Sequence, residues 1–259
     1  MIRISTLFFI TILMSTSVFA QQELNDLFER HEFTNKDGEV LRYRLLNPDQ
    51  TTDQDTYPLV LFMHGAGQRG TDNEQQLVHG AWNFALPENR AEYPAFVIAP
   101  QVPGEQKWST LDWWGPTDQV WGDSLSPVME LTIQLVEQFI EKHPVDVSRI
   151  YVTGLSMGGF GTWEFIQRKP EWVAAAVPVC GGGDLTKADR ITGIPIWSFH
   201  GDKDYVVKTD FSRLMHQTIK EMGGNSRYTE LKGVDHNAWD TTYANQDMIR
   251  WMFSQKQGK

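Results

Sequence analysis

From Glu39 onward, short β-branched or aromatic runs alternate with longer stretches of helical period, the order expected of a mostly parallel sheet covered by helices on both faces. Leu41 to Leu45 alternates with period two and predicts a half-exposed edge strand. Tyr57 to Met63 and Ala95 to Ala99 are unbroken apolar runs bounded by Pro58, Pro94 and Pro100, which predicts strands buried on both faces. Arg149 to Thr153, Val173 to Val179 and Ile194 to Phe199 read the same way, and Tyr228 to Leu231 supplies a weaker last strand. Between these runs, Ser126 is placed to cap a helix with Pro127 at its first position. Val128, Leu131, Leu135, Val136, Phe139 and Ile140 then recur at helical spacing until Pro144. Phe211, Leu214, Met215, Thr218, Ile219 and Met222 repeat that geometry before Gly223-Gly224 stops it, and a final helix is predicted over Tyr243 to Phe253. The fold class is α/β.

The stretch from Gly65 to Pro127 breaks this rhythm and predicts long loops, rich in Gly, Pro and Trp. Trp82, Trp108, Trp113, Trp114 and Trp121 fall inside it, and loops above a rigid sheet are where α/β folds build binding surfaces. At 259 residues, 41% hydrophobic, the chain is long enough for one sizeable core, and no linker or repeat divides it. Residues 1–20 read as a signal peptide: Arg3 is the positive start, Leu7 to Met14 the apolar stretch and Val18-Phe19-Ala20 the cleavage signature. Residues 21–259 are then one catalytic domain, secreted or periplasmic, without stable membrane association once the leader is removed. The formal net charge is -10, and losing Arg3 takes it to -11; with no basic run to neutralise phosphates, nucleic acid is not an expected partner. One cysteine, Cys180, excludes an intrachain disulfide and a thiolate metal cage.

Gly154-Leu155-Ser156-Met157-Gly158 sits between a predicted strand and a helical stretch, Phe160 to Arg168, which is the context in which G-x-S-x-G forms a sharp turn with its serine exposed at the apex. A neutral hydroxyl is a weak nucleophile, so a base and a carboxylate to orient it must lie further on. Asp202 and Asp204 follow one predicted strand, and His236 follows the next, in the chain order Ser, Asp, His of an α/β-hydrolase. Spacing alone does not separate the two aspartates. His64 and His200, each before a glycine at a strand end, fit the bracing of a turn. A tetrahedral intermediate also needs amide donors for its oxyanion, and the backbone N–H groups of Met157 and of Ala66, in the His64-Gly65-Ala66-Gly67 loop, are the candidates.

These blocks, His64 to Gly70, Gly154 to Gly159, His200 to Asp204 with Val206-Val207, and His236 to Asp240, resemble secreted α/β-hydrolase esterases. The relatives implied are the phospholipase/carboxylesterase, feruloyl esterase and polyhydroxybutyrate depolymerase-like groups, often labelled prolyl-oligopeptidase-like. The resemblance implies Asp204 as the acid, agrees with Ala66 in the oxyanion hole, and departs from the family at Tyr205, where proline is frequent. It implies a serine carboxylesterase that needs no cofactor or metal and forms an acyl-enzyme on a small-molecule or polymer-linked ester. Trp113, Trp114, Trp121 and Trp239 are candidates to line its substrate pocket, since flat aromatic faces suit phenolic, sugar and polyester groups alike. A serine peptidase shares every one of these catalytic residues, and in a non-catalytic polymer-binding homologue the Trp-rich segment would stack on sugar or aromatic rings and the triad would be vestigial.

Overall fold

The computed structural model describes residues 21–49 and 55–258, so the expected signal peptide lies outside the described residues. Eight strands are labelled in chain order: β1 (Glu29–Thr34), β2 (Val40–Leu46), β3 (Tyr57–Met63), β4 (Phe96–Pro100), β5 (Val145–Leu155), β6 (Ala175–Val179), β7 (Ile196–Gly201) and β8 (Ser226–Leu231). They form one sheet in the order β1-β2-β4-β3-β5-β6-β7-β8. The pairs β1–β2 and β2–β4 are antiparallel, and the remaining neighbours run parallel. Among the described residues, the α-helices that follow β3 are α1 (Pro87–Glu92), α2 (Pro127–Lys142), α3 (Met157–Arg168), α4 (Asp210–Glu221), α5 (Ala238–Tyr243) and α6 (Gln246–Ser254).

Successive side chains of a strand point to opposite faces, which is why β3 has no polar position. Leu59, Leu61 and Met63 join the core that includes Val128, Val136, Phe160 and Phe211 from α2, α3 and α4. Val60 and Phe62 join the other core, with Tyr243 at the end of α5 and Met248 and Met252 of α6. The Ser126 hydroxyl accepts from the Met129 amide at 3.2 Å, as a cap should, and donates to the Trp108 carbonyl at 2.8 Å.

β1 lies before the first element of the sequence reading, and two further elements differ from it. The strand at Leu41 to Leu45 is interior, because β1 adds outside it. Its polar position Arg44 is buried all the same, with its guanidinium donating to the carbonyls of Phe28, Asn73 and Asn25 at 2.8, 3.0 and 2.8 Å. The last helix begins at Gln246 rather than at Tyr243, which closes the separate α5, because the Asn245 side chain accepts from the amides of Asp247 and Met248 and caps it. Residues 101–126 carry neither helix nor strand, and side chains satisfy their carbonyls instead. Lys208 Nζ reaches Gly115 O at 3.1 Å, Lys187 Nζ reaches Trp121 O at 3.3 Å, and Arg168 reaches Gly122 O at 2.8 Å.

Candidate active site

The site forms above the carboxyl ends of β5, β7 and β8, where the turns after those strands meet. Ser156 stands between β5 and α3 with φ 55° and ψ −118°, a conformation non-glycine residues seldom adopt, and its amide is held by the Val179 carbonyl at 2.9 Å. The turn is possible only because its flanking residues lack side chains. A Cβ on Gly158 would lie 1.9 Å from the Met63 carbonyl oxygen, and one on Gly154 would lie 2.5 Å from the Gly158 carbonyl oxygen. The serine turn is thereby pressed against the end of β3, where the His64 to Gly67 loop begins. A Cβ on Gly65 would come within 3.6 Å of the Ser156 Cβ, so that loop passes directly beside the serine.

Ser156 Oγ lies 2.9 Å from His236 Nε2, and His236 Nδ1 lies 2.7 Å from Asp204 Oδ2. A carboxylate can only accept, so the imidazole proton sits on Nδ1 and leaves the Nε2 lone pair facing the serine hydroxyl. Asp204 Oδ1 accepts the amides of Val206 and Val207 at 2.9 and 2.8 Å. Burial would push this carboxyl up, but hydrogen bonds from His200, His236 and the Val207 amide outweigh it and hold the group well below the usual carboxylate range. Asp202, the other aspartate the sequence left open, points elsewhere and accepts the Gly233 amide at 2.6 Å. Asp235 accepts the His236 amide at 2.7 Å.

His64 braces the neighbouring loop. Its Nε2 accepts the Val102 amide at 2.9 Å, so Nδ1 carries the proton and donates to the Gly65 carbonyl at 2.6 Å. Complete burial holds the ring neutral, with its pKa down at about 4. The Trp108 indole donates to the His64 carbonyl at 2.9 Å. Ala66 and Met157 each open a helical turn, where an amide has no carbonyl one turn back to bond and is available to a ligand.

The four candidate tryptophans are not gathered in one place. Trp239 stands edge-on to the His236 ring at 5.1 Å and contacts His79 at 5.6 Å. Trp113 is partly buried, with Lys107 over its ring, and Trp114 beside it is 63% exposed. Trp121 is 3% exposed and faces Arg168, which makes it part of the loop's core contact. Two neighbours of the site have no part in it in the sequence reading, which gives His200 only the bracing of a turn. His200 touches Asp204, and Cys180, at φ 50°, directs its thiol to the His236 carbonyl at 3.5 Å. No spacing along the chain signals the first, because its contact depends on how the chain turns after β7.

The sheet order and the serine turn at the end of β5 define a hydrolase of the α/β-hydrolase fold. Within that class the chain belongs to the phospholipase/carboxylesterase family, whose profile matches residues 50–249. The crystal structure of a thermostable esterase is 41% identical, superimposes with a TM-score of 0.84, and is matched over 90% of this chain and 64% of that one. An uncharacterized secreted protein of Arthroderma benhamiae is 24% identical over 82% of this chain and 25% of its own length. Poly(3-hydroxyalkanoate) depolymerase C of Paucimonas lemoignei is 28% identical over 72% of this chain and 41% of its own. The chain thus spans less than half of each of these two curated relatives. Among the described residues, no helix is long and apolar enough to cross a membrane.

Proposed function

We propose that the protein is a serine carboxylesterase in which Ser156 is the nucleophile, His236 the general base and acid, and Asp204 the group that orients it. The observation that carries this reading is the unbroken hydrogen-bond chain from Ser156 Oγ through His236 to Asp204. His236 Nε2 takes the serine proton as Oγ attacks the ester carbonyl, and the amides of Met157 and Ala66 receive the oxyanion. Collapse of the tetrahedral intermediate expels the alcohol, which takes the proton back from His236 and leaves an acyl-enzyme. Water then repeats the sequence and frees the acid. No step requires a cofactor.

Residues 1–20 serve as an export signal and residues 21–259 as one catalytic domain acting outside the cytoplasm, a reading supported by the name of the Arthroderma relative. The substrate is a carboxylic ester on a small molecule, a plant polysaccharide or a polyester. Trp239, edge-on to the His236 ring, suits flat or apolar acyl groups, and the depolymerase relative supports the polyester class. The test is hydrolysis of short nitrophenyl esters, methyl ferulate, acetylated xylan and polyhydroxybutyrate by the wild type and by Ser156→Ala. The expected result is turnover of at least one ester that the folded variant loses. Equal turnover by the variant would overturn the assignment.

A further inference from the structure

His200 lies at the end of β7 with its side chain wholly buried, and its Nε2 is 3.1 Å from Asp204 Oδ2 and 3.1 Å from the Val207 carbonyl oxygen. Both neighbours are acceptors, so this nitrogen must carry a proton. Nδ1, on the other side of the ring, is 2.8 Å from Ser212 Oγ on α4, which itself reaches the Gly181 carbonyl at 3.0 Å. Two fixed elements therefore clamp the imidazole. A carboxylate offers about four acceptor directions, and Asp204 fills them with the Val206 and Val207 amides on Oδ1 and with His236 and His200 on Oδ2.

We propose that His200 is a second histidine of the site, a positioning residue that donates Nε2–H to Asp204 and sets both the orientation and the effective charge of the carboxylate that His236 leans on. The proposal rests on the esterase mechanism above. His200 touches no substrate atom and acts only through Asp204. With His200 present, Oδ2 shares its charge between two donors. Without it, Asp204 is less firmly held and its charge falls on His236 alone. The other ionisable groups facing this centre are the Cys180 thiol, whose burial pushes its pKa up so that it stays neutral, and the carboxylates of Asp235, at the His236 amide, and Glu230, which is paired with Arg213.

The test compares His200→Gln, whose amide nitrogen can occupy the place of Nε2, with His200→Asn, whose shorter amide reaches Ser212 but not Asp204. Both are measured on a nitrophenyl ester across pH 5 to 9, with folding followed by circular dichroism. The expected result for His200→Asn is a fall in kcat of about tenfold or more with KM unchanged, the loss of one hydrogen bond to a charged group. Its acid limb of kcat/KM should also move to higher pH, while His200→Gln restores both. A folded His200→Asn with an unmoved acid limb, or a His200→Gln as impaired as His200→Asn, overturns the proposal. The wild type gives a check that needs no variant: nitrogen-detected NMR should find the His200 proton on Nε2, and a bare Nε2 refutes it. Asp204→Asn separates the two levels. If it leaves turnover intact, the esterase mechanism fails and this inference with it; if it abolishes turnover while His200→Asn behaves as wild type, only this inference fails.

Discussion

Gly158→Ala is the smallest change that should dismantle the site. The added Cβ would stand 1.9 Å from the Met63 carbonyl oxygen, 2.5 Å from its carbon and 2.8 Å from the His64 carbonyl oxygen. All three are backbone atoms at the end of β3, so no side chain can swing aside. Reaching even the 3.0 Å limit of real Cβ contacts requires the two segments to part by about 1 Å. Overpacking of this kind costs about 3 kcal/mol, which for a domain of this size lowers Tm by about 6–12 °C. The same movement separates Ser156 from the His64 to Gly67 loop, and a misplacement of about 1 Å costs about 100-fold in turnover. Thermal melts and nitrophenyl ester kinetics on the variant give both numbers. Gly193→Ala is the control, because a Cβ there meets nothing within 4 Å, and its stability should stay within about 0.5 kcal/mol of wild type. A Gly158→Ala protein with unchanged Tm and turnover would refute the claim that close backbone contact builds the nucleophile turn.

The buried ring of His64 predicts an acid-sensitive fold. Its pKa is lowered to about 4 from an ordinary 6.5, so the unfolded chain binds the proton more readily and the His64 contribution, full above pH 6.5, is lost as the pH falls toward 4. That loss amounts to about 3 kcal/mol; urea unfolding at pH 7 and pH 4 should show a shallower pH dependence in His64→Gln, and equal slopes would contradict the account. Cys180 is wholly buried, and its thiol is pushed up by burial. Ellman's reagent should find no reactive thiol in the native protein and one after denaturation; prompt native reaction would show the site to be open. Trp121→Ala should cost about 3–5 kcal/mol in denaturant unfolding, whereas Trp114→Ala, at an exposed position, should leave stability within about 0.5 kcal/mol and alter only KM for bulky esters. A destabilised Trp114→Ala would contradict its placement.

Much of this architecture is legible before any coordinates. The buried parallel strands announce themselves because both faces are covered, so β3, β4 and β6 are apolar throughout, and β7 departs from this only at the buried Ser198 and His200. The serine turn is legible because only glycine tolerates its close contacts. β1 is hidden for the opposite reason: its sequence ERHEFT sends only Phe33 into the core, and a sheet edge needs no more. The interior position of β2 is masked by Arg44, whose burial depends on three carbonyls from distant segments. Trp121 and Trp114 look equivalent along the chain, and a lysine holds the backbone at or beside each, yet Trp121 packs into the core while Trp114 projects. The contact of His200 with Asp204 depends on how the chain turns after β7, and spacing alone does not give that turn.

The claim on which the mechanism stands is that Ser156 alone, among the hydroxyls of the protein, is made nucleophilic by His236. Treatment with a fluorophosphonate followed by peptide mass spectrometry measures this directly. One adduct per chain, on the peptide containing Ser156 and lost in His236→Ala, is the predicted result; no adduct, or one on another residue, would contradict it.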